Sequence, residues 1–78
     1  MSGVSVITTT DSAYITFLDE AGAGVTYVGK APPRSLPSSP VWQIRRLTST
    51  SDALAVEFAD GDDRYDNVWD NRAALGYS

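Results

Sequence analysis

A chain of 78 residues with no cysteine and no histidine has room for one domain. It also lacks the side chains for a disulfide or a common zinc centre, the staples on which so small a core often depends. The net charge of −4 sets the field of the whole chain against nucleic acid, and no run approaches the ~20 apolar residues that span a bilayer.

The chain reads as a succession of strands. Val4, Val6 and Thr8 alternate with Ser5, Ile7 and Thr9, a period-two pattern rich in β-branched residues. Met1-Ser2-Gly3 before it carries no basic residue, which predicts no signal peptide. Thr10-Asp11-Ser12 supplies a turn, because Asp and Ser side chains bond the local backbone. A second strand alternates Tyr14, Thr16 and Leu18 with Ile15, Phe17 and Asp19. A loop is expected over 19–24, where two glycines permit positive φ. The third strand alternates Val25, Tyr27 and Gly29 with Thr26, Val28 and Lys30. These three strands predict an antiparallel meander.

Residues 31–40 break the pattern and hold all four prolines of the protein. Proline lacks the N–H that a central strand needs, so an extended arm or an ordered loop is expected. Two roles fit it: an inert crossing between two halves of a sheet, or a surface arm laid on a neighbouring subunit. In the second role Leu36 is the large apolar anchor, flanked by Pro33, Arg34 and Pro37, and a pre-extended segment loses little entropy on docking.

Beyond the prolines, Trp42 and Ile44 share a face with Arg46 and Thr48, while Val41, Gln43, Arg45 and Leu47 take the other. After a polar turn at 49–52, Leu54, Val56 and Phe58 alternate with Ala55, Glu57 and Ala59, predicting a half-buried strand. Asp60-Gly61 is a hairpin signal, with residues 64–69 expected to pair back onto 54–59. Residues 70–74 suit one helical turn capped by Asp70, and 75–77 a short closing strand. The expectation is a single β domain over 1–78. It has five or six antiparallel strands in a small barrel or compact sandwich, with a proline-rich loop at 31–40.

No catalytic constellation accompanies this pattern. Without histidine or cysteine, the usual acid–base and thiol nucleophile arrangements are missing. The acidic run Asp60-Gly61-Asp62-Asp63-Arg64-Tyr65-Asp66 offers hard oxygen ligands, but it departs from the EF-hand order at Gly61 and Arg64. Its carboxylates stand on a turn, in a chain too small for a deep sugar cleft. The expectation is a non-enzyme with no metal and no cofactor. Charge is also uneven: residues 1–51 carry +1 and residues 52–78 carry −5. That asymmetry suits either a solvated acidic loop or steering against a basic partner. The eight aromatic residues suit core packing, with subunit contacts or stacked nucleobases beside Arg45 and Arg46 as other uses.

Four stretches carry a family likeness: Tyr27-Val28-Gly29-Lys30-Ala31-Pro32-Pro33, Val41-Trp42-Gln43-Ile44-Arg45-Arg46, Ala59-Asp60-Gly61, and Trp69-Asp70-Asn71-Arg72-Ala73-Ala74-Leu75-Gly76-Tyr77-Ser78. Over about residues 25–78 the sequence resembles small structural proteins of tailed-bacteriophage virions. The resemblance implies a capsid decoration or cement protein that stabilises the shell through subunit contacts. A neck, tail or fibre-attachment component is the alternative. A stand-alone regulatory or nucleic-acid-binding small barrel is a reading of a different class. The implied partners are the major capsid protein or other virion subunits, with homo-oligomerisation, for example as a trimer, and no membrane. The implied location is the virion, assembled in the host cytoplasm. Candidate interface residues are Pro33, Arg34, Leu36, Pro37, Arg45, Trp69, Arg72 and Tyr77. In the closing Trp69-Asp70-Asn71-Arg72, the Trp ring suits sealing one end of the module. Arg72 suits either a local carboxylate or one on a neighbouring subunit.

Overall fold

The computed structural model describes residues 4–5 and 14–78. Among the described residues there are six strands: β1 (Val4–Ser5), β2 (Ile15–Gly22), β3 (Val25–Ala31), β4 (Pro40–Ser49), β5 (Leu54–Phe58) and β6 (Asn67–Val68). A 3₁₀ helix, Trp69–Ala74, follows β6. The chain is all-β. Its sheet is open rather than closed into a barrel: β1 to β5 lie side by side in chain order, all antiparallel, with β6 added against β4. The first and last strands of that path stand at opposite edges, and among the described residues no pairing closes it. The rest of the first predicted strand and the turn at Thr10-Asp11-Ser12 lie outside the described residues.

β4 is the hub, because its ten residues serve three partners. One edge pairs with β3 from Gln43 to Thr48, and the other is shared between β6 at Pro40 and Trp42 and β5 from Arg45 to Ser49. Proline opens β4, a position where its missing N–H costs no central ladder bond.

Register divides the side chains cleanly. Ile15, Phe17 and Asp19 of β2 lie on the face of Ala31, Gly29 and Tyr27 of β3, which continues to Ile44 and Arg46 of β4. The 3₁₀ helix covers this face with Trp69, which is 3% exposed. Trp42 and Ile44 are completely buried there. Phe17 lies 4.6 Å from the Trp42 ring and 5.7 Å, edge-on, from Trp69, and the two indoles stand 5.7 Å apart. Such offset and edge contacts match the quadrupoles of the rings. Gly29 makes the stack possible, since a Cβ there would overlap Trp69 at Cε3 and Cζ3 and lie 3.1 Å from Trp42 Cε3.

Three local expectations differ from the structure. The loop expected at 19–24 shrinks to a turn at Ala23 and Gly24, with β2 running on to Gly22 through a register shift after Glu20. An inserted residue bends a strand without ending it, and positive φ at Gly22, Ala23 and Gly24 then reverses the chain. The Asp60-Gly61 turn forms, with positive φ at both residues, yet residues 64–69 do not return along β5. They swing to the free half of β4, where Asn67 opposes Trp42 and donates from Nδ2 to the Trp42 carbonyl at 3.1 Å. The outer edge of β5 is taken instead by Tyr77, which bridges Ala59, while Phe58 and Ser78 exchange both backbone bonds. Finally, Asp70 does not cap the helix with its side chain; its N–H donates to the Pro37 carbonyl at 3.1 Å.

Replacing Gly29 with alanine drives a methyl group into the Trp69 ring. Overpacking of this kind costs about 1–3 kcal/mol, so Gly29→Ala is expected to shift the denaturation midpoint downward by that amount, read by Trp fluorescence.

Candidate interaction surface

The covered face changes chemistry at one cross-strand row, where Asp19, Tyr27, Arg46 and Glu57 stand side by side. Every charge in that row has a partner within the chain. Arg72 reaches back from the 3₁₀ helix and donates from Nε to Asp19 Oδ2 at 2.8 Å and from Nη1 to the Trp69 carbonyl at 3.1 Å. Its guanidinium also lies 4.5 Å over the Trp69 ring. Arg46 donates from Nη2 to Glu57 Oε1 at 2.8 Å and sits 4.8 Å over the Tyr77 ring. The hydrogen bond to Glu57 holds its pKa above the ordinary arginine value. Tyr77 fills the gap between them: its ring is 5.8 Å from Tyr27, and its hydroxyl donates to the Arg72 carbonyl at 2.8 Å.

The proline-rich segment is an ordered loop. Trp42 Nε1 donates to the Leu36 carbonyl at 2.9 Å, and the Ser35 amide and hydroxyl both donate to the Pro32 carbonyl. The Asp70 amide holds Pro37 as noted above. These bonds tie the loop to the covered side of the sheet and leave Leu36 63% exposed at its crest. Arg34, at φ 68°, and Pro33 are exposed beside it.

The eight candidate residues therefore separate. Pro33, Arg34 and Leu36 face outward on the loop. Pro37 is half-buried, with its carbonyl used internally. Trp69, Arg72 and Tyr77 turn inward and join the module to itself: Trp69 is core, and the local carboxylate for Arg72 is Asp19, 53 positions away in sequence. Arg45 stands on the opposite face of the sheet, half-buried.

That opposite face is the feature the sequence pattern left unassigned. Its rows run Leu18, Val28, Arg45, Phe58 and Glu20, Thr26, Leu47, Val56, with Ser49 and Leu54 beyond. At one end the residues after the Asp60-Gly61 turn fold over it. Gln43 Nε2 donates to the Asp63 carbonyl at 2.9 Å, and Tyr65 stacks on Tyr14 at 5.4 Å with Lys30 Nζ 4.8 Å above the Tyr14 ring. Burial, followed by the neighbouring Tyr14, raises the Tyr65 pKa. At the β5 end, Leu54 and Val56 are 59% and 51% exposed. The half-buried strand expected there is thus open on its apolar side, because the 3₁₀ helix and the loop both went to the other face. Among the described residues no three acidic side chains converge as a metal site; Asp62 Oδ1 instead accepts from the Arg64 amide at 3.0 Å.

Comparisons with protein-family models, with curated proteins and with solved structures found no match. The exposed large apolar side chains among the described residues are Leu54 and Val56 at the strand edge on one side of the sheet and Leu36 on the loop crest on the other.

Two outcomes check the inward assignments. Removing Arg72 strands a nearly buried carboxylate, so Arg72→Ala is expected to cost about 3 kcal/mol in chemical denaturation. The Tyr77 pKa is pushed up to about 12, chiefly by burial and then by Tyr27, with Arg46 and Arg72 pulling it down and Asp60 pushing it up. A folded-state pKa above the unfolded value means that the unfolded chain loses its proton first. The stability contributed by neutral Tyr77 is thus complete below about pH 10 and is lost as pH rises toward 12. Tyr77→Phe is expected to flatten that part of the stability–pH curve.

Proposed function

We propose that this protein is a structural subunit of a tailed-bacteriophage particle, acting as a capsid decoration protein that cements neighbouring coat subunits. The observation that carries the assembly role is the sheet with one sealed face and one open face, its apolar edge residues Leu54 and Val56 left in solvent. What supports a phage particle as the setting is the resemblance of residues 25–78 to small virion proteins. The sealed face gives the module a core of its own, so it folds before it docks. The crest at Leu36 and the open face then offer two surfaces on opposite sides of the sheet, which suits a clamp between subunits. Binding only the assembled shell lowers the free energy of that state relative to free subunits.

The test is a count of copies in purified particles by quantitative mass spectrometry. A number comparable with the coat protein is the expected result. A low count set by tail or neck symmetry moves the protein to those positions, and absence from particles overturns the proposal. Because Leu36 and Leu54 are exposed, Leu36→Asp and Leu54→Asp are expected to change stability by no more than about 0.5 kcal/mol. Both are expected to reduce incorporation, measured on the same particles.

A further inference from the structure

The outer edge of β5 has a definite hydrogen-bonding phase. Ala59 bonds inward, its N–H donating to the Ile44 carbonyl, and Thr50 donates to the Ala53 carbonyl at the other end. Both pairs obey the β4–β5 register, so the odd residues 53, 55, 57 and 59 address β4. The even residues then address the outside, since antiparallel bonding alternates along a strand. Phe58 and Asp60 confirm the phase, because they bond outward to Ser78 and Gly76. Among the described residues, the outward N–H and C=O groups of Leu54 and Val56 have no backbone partner. The free window is thus two bonding residues wide. It is closed on one side by Ser78 and on the other by the turn at 50–53, which is pinned by Thr50 Oγ1 and the Ala53 amide.

The geometry points to a second copy of this chain as the partner of that window, pairing β5 with β5 antiparallel about a two-fold axis at Ala55. This inference deepens the assembly role proposed above by naming one subunit contact. In that register Leu54 of each copy exchanges both backbone bonds with Val56 of the other, so all the free groups in both windows are used. A long extended peptide from another protein would run on into Ser78. A second β5 does not, since opposite Phe58 it has already left the strand at Asp52 for its own turn. Leu54 and Val56 of each copy then meet on the open face, backed by Leu47 beside Val56, and cross-strand apolar pairs of this kind stabilise a sheet. The acidic turns at Asp60-Gly61 fall at opposite ends of the pair, so they do not confront each other. The product is one continuous sheet through two modules, and an edge that invites uncontrolled pairing is closed by a symmetric one.

The absence of cysteine makes the register directly measurable. Across the axis the two Ala55 residues form a non-hydrogen-bonded pair with Cα atoms about 4.5 Å apart, inside the ~4.4–6.8 Å range of disulfides. The two Ala53 residues are four strand positions out of step, more than about 13 Å apart. Under mild oxidation Ala55→Cys is expected to form a covalent dimer at least about tenfold faster than Ala53→Cys. In sedimentation experiments the wild-type chain is expected to dimerise with concentration. Val56→Pro removes an outward N–H and no bond to β4, so it is expected to weaken dimerisation at least about tenfold while the far-ultraviolet and Trp signals stay those of the folded chain. A wild-type chain that stays monomeric at every concentration, or equal cross-linking of the two cysteine variants, overturns the inference. The particle count is independent of it: a chain that dimerises at Ala55 but is missing from particles sinks the virion role and leaves the pairing intact.

Discussion

A single antiparallel sheet has two faces and no interior, so a chain this short must find something to lay across one of them. Trp69 on Gly29 is that contact. The glycine leaves a flat patch of backbone in the middle of β3, the indole fills it, and Trp42 and Phe17 close around the ring at 5.7 Å each. Everything else on the covered side depends on where this ring lies. The 3₁₀ helix is short and lacks a side-chain cap, so it is held by the burial of its first residue rather than by its own hydrogen bonds. The helix in turn holds the proline-rich loop through the Asp70 amide, and the loop holds Leu36 in place over the Trp42 indole N–H.

Where the aromatic contacts end, electrostatics takes over. Asp19 and Arg46 lie on the same face as the core and would be costly there alone. They are tolerated because Arg72 and Glu57 reach them at 2.8 Å each, with Tyr77 placing its ring beside Arg46 and its hydroxyl on the Arg72 carbonyl between the two pairs. Only the Asp19–Arg72 pair is nearly enclosed, so it carries the larger penalty if broken. The half-exposed Arg46–Glu57 pair contributes less. The two pairs also fix the path of the last residues, since Tyr77 must sit over Arg46 for its hydroxyl to reach Arg72. Ser78 is thereby delivered to the edge of β5, and the extent of free strand edge is decided by an ion pair on the far face.

The alternation of residues made much of this legible. Trp42 with Ile44, and Tyr27 with Gly29, are paired by period two, and the structure buries both pairs. Period two divides a strand into faces but does not say which face a distant segment will cover. Leu54, Val56 and Phe58 look like a core stripe on that criterion, and they lie on the open side because their register partners are Ser49, Leu47 and Arg45 rather than Trp42 and Ile44. The return of residues 64–69 was hidden for a related reason. A turn signal at Asp60-Gly61 specifies a reversal, not a partner, and β4 was long enough to accept β6 beside β5. The roles of Trp69, Arg72 and Tyr77 depend on contacts with Gly29, Asp19 and Arg46, and no local pattern connects residues so far apart.

That distance has a consequence for how the molecule comes into being. The β2–β3–β4 meander is built from neighbours in sequence and needs only two short-range reversals. Its core is completed by a ring and a guanidinium that arrive from far along the chain, the ion pair spanning 53 positions. Loop closure over such separations slows folding. Until that ring is docked, the aromatic face of the meander around Phe17 and Trp42 has nothing laid across it, the condition in which strands from different chains find each other. Among the steps of folding, the docking of residue 69 is the one that turns a sticky ribbon into a module with a single adhesive side.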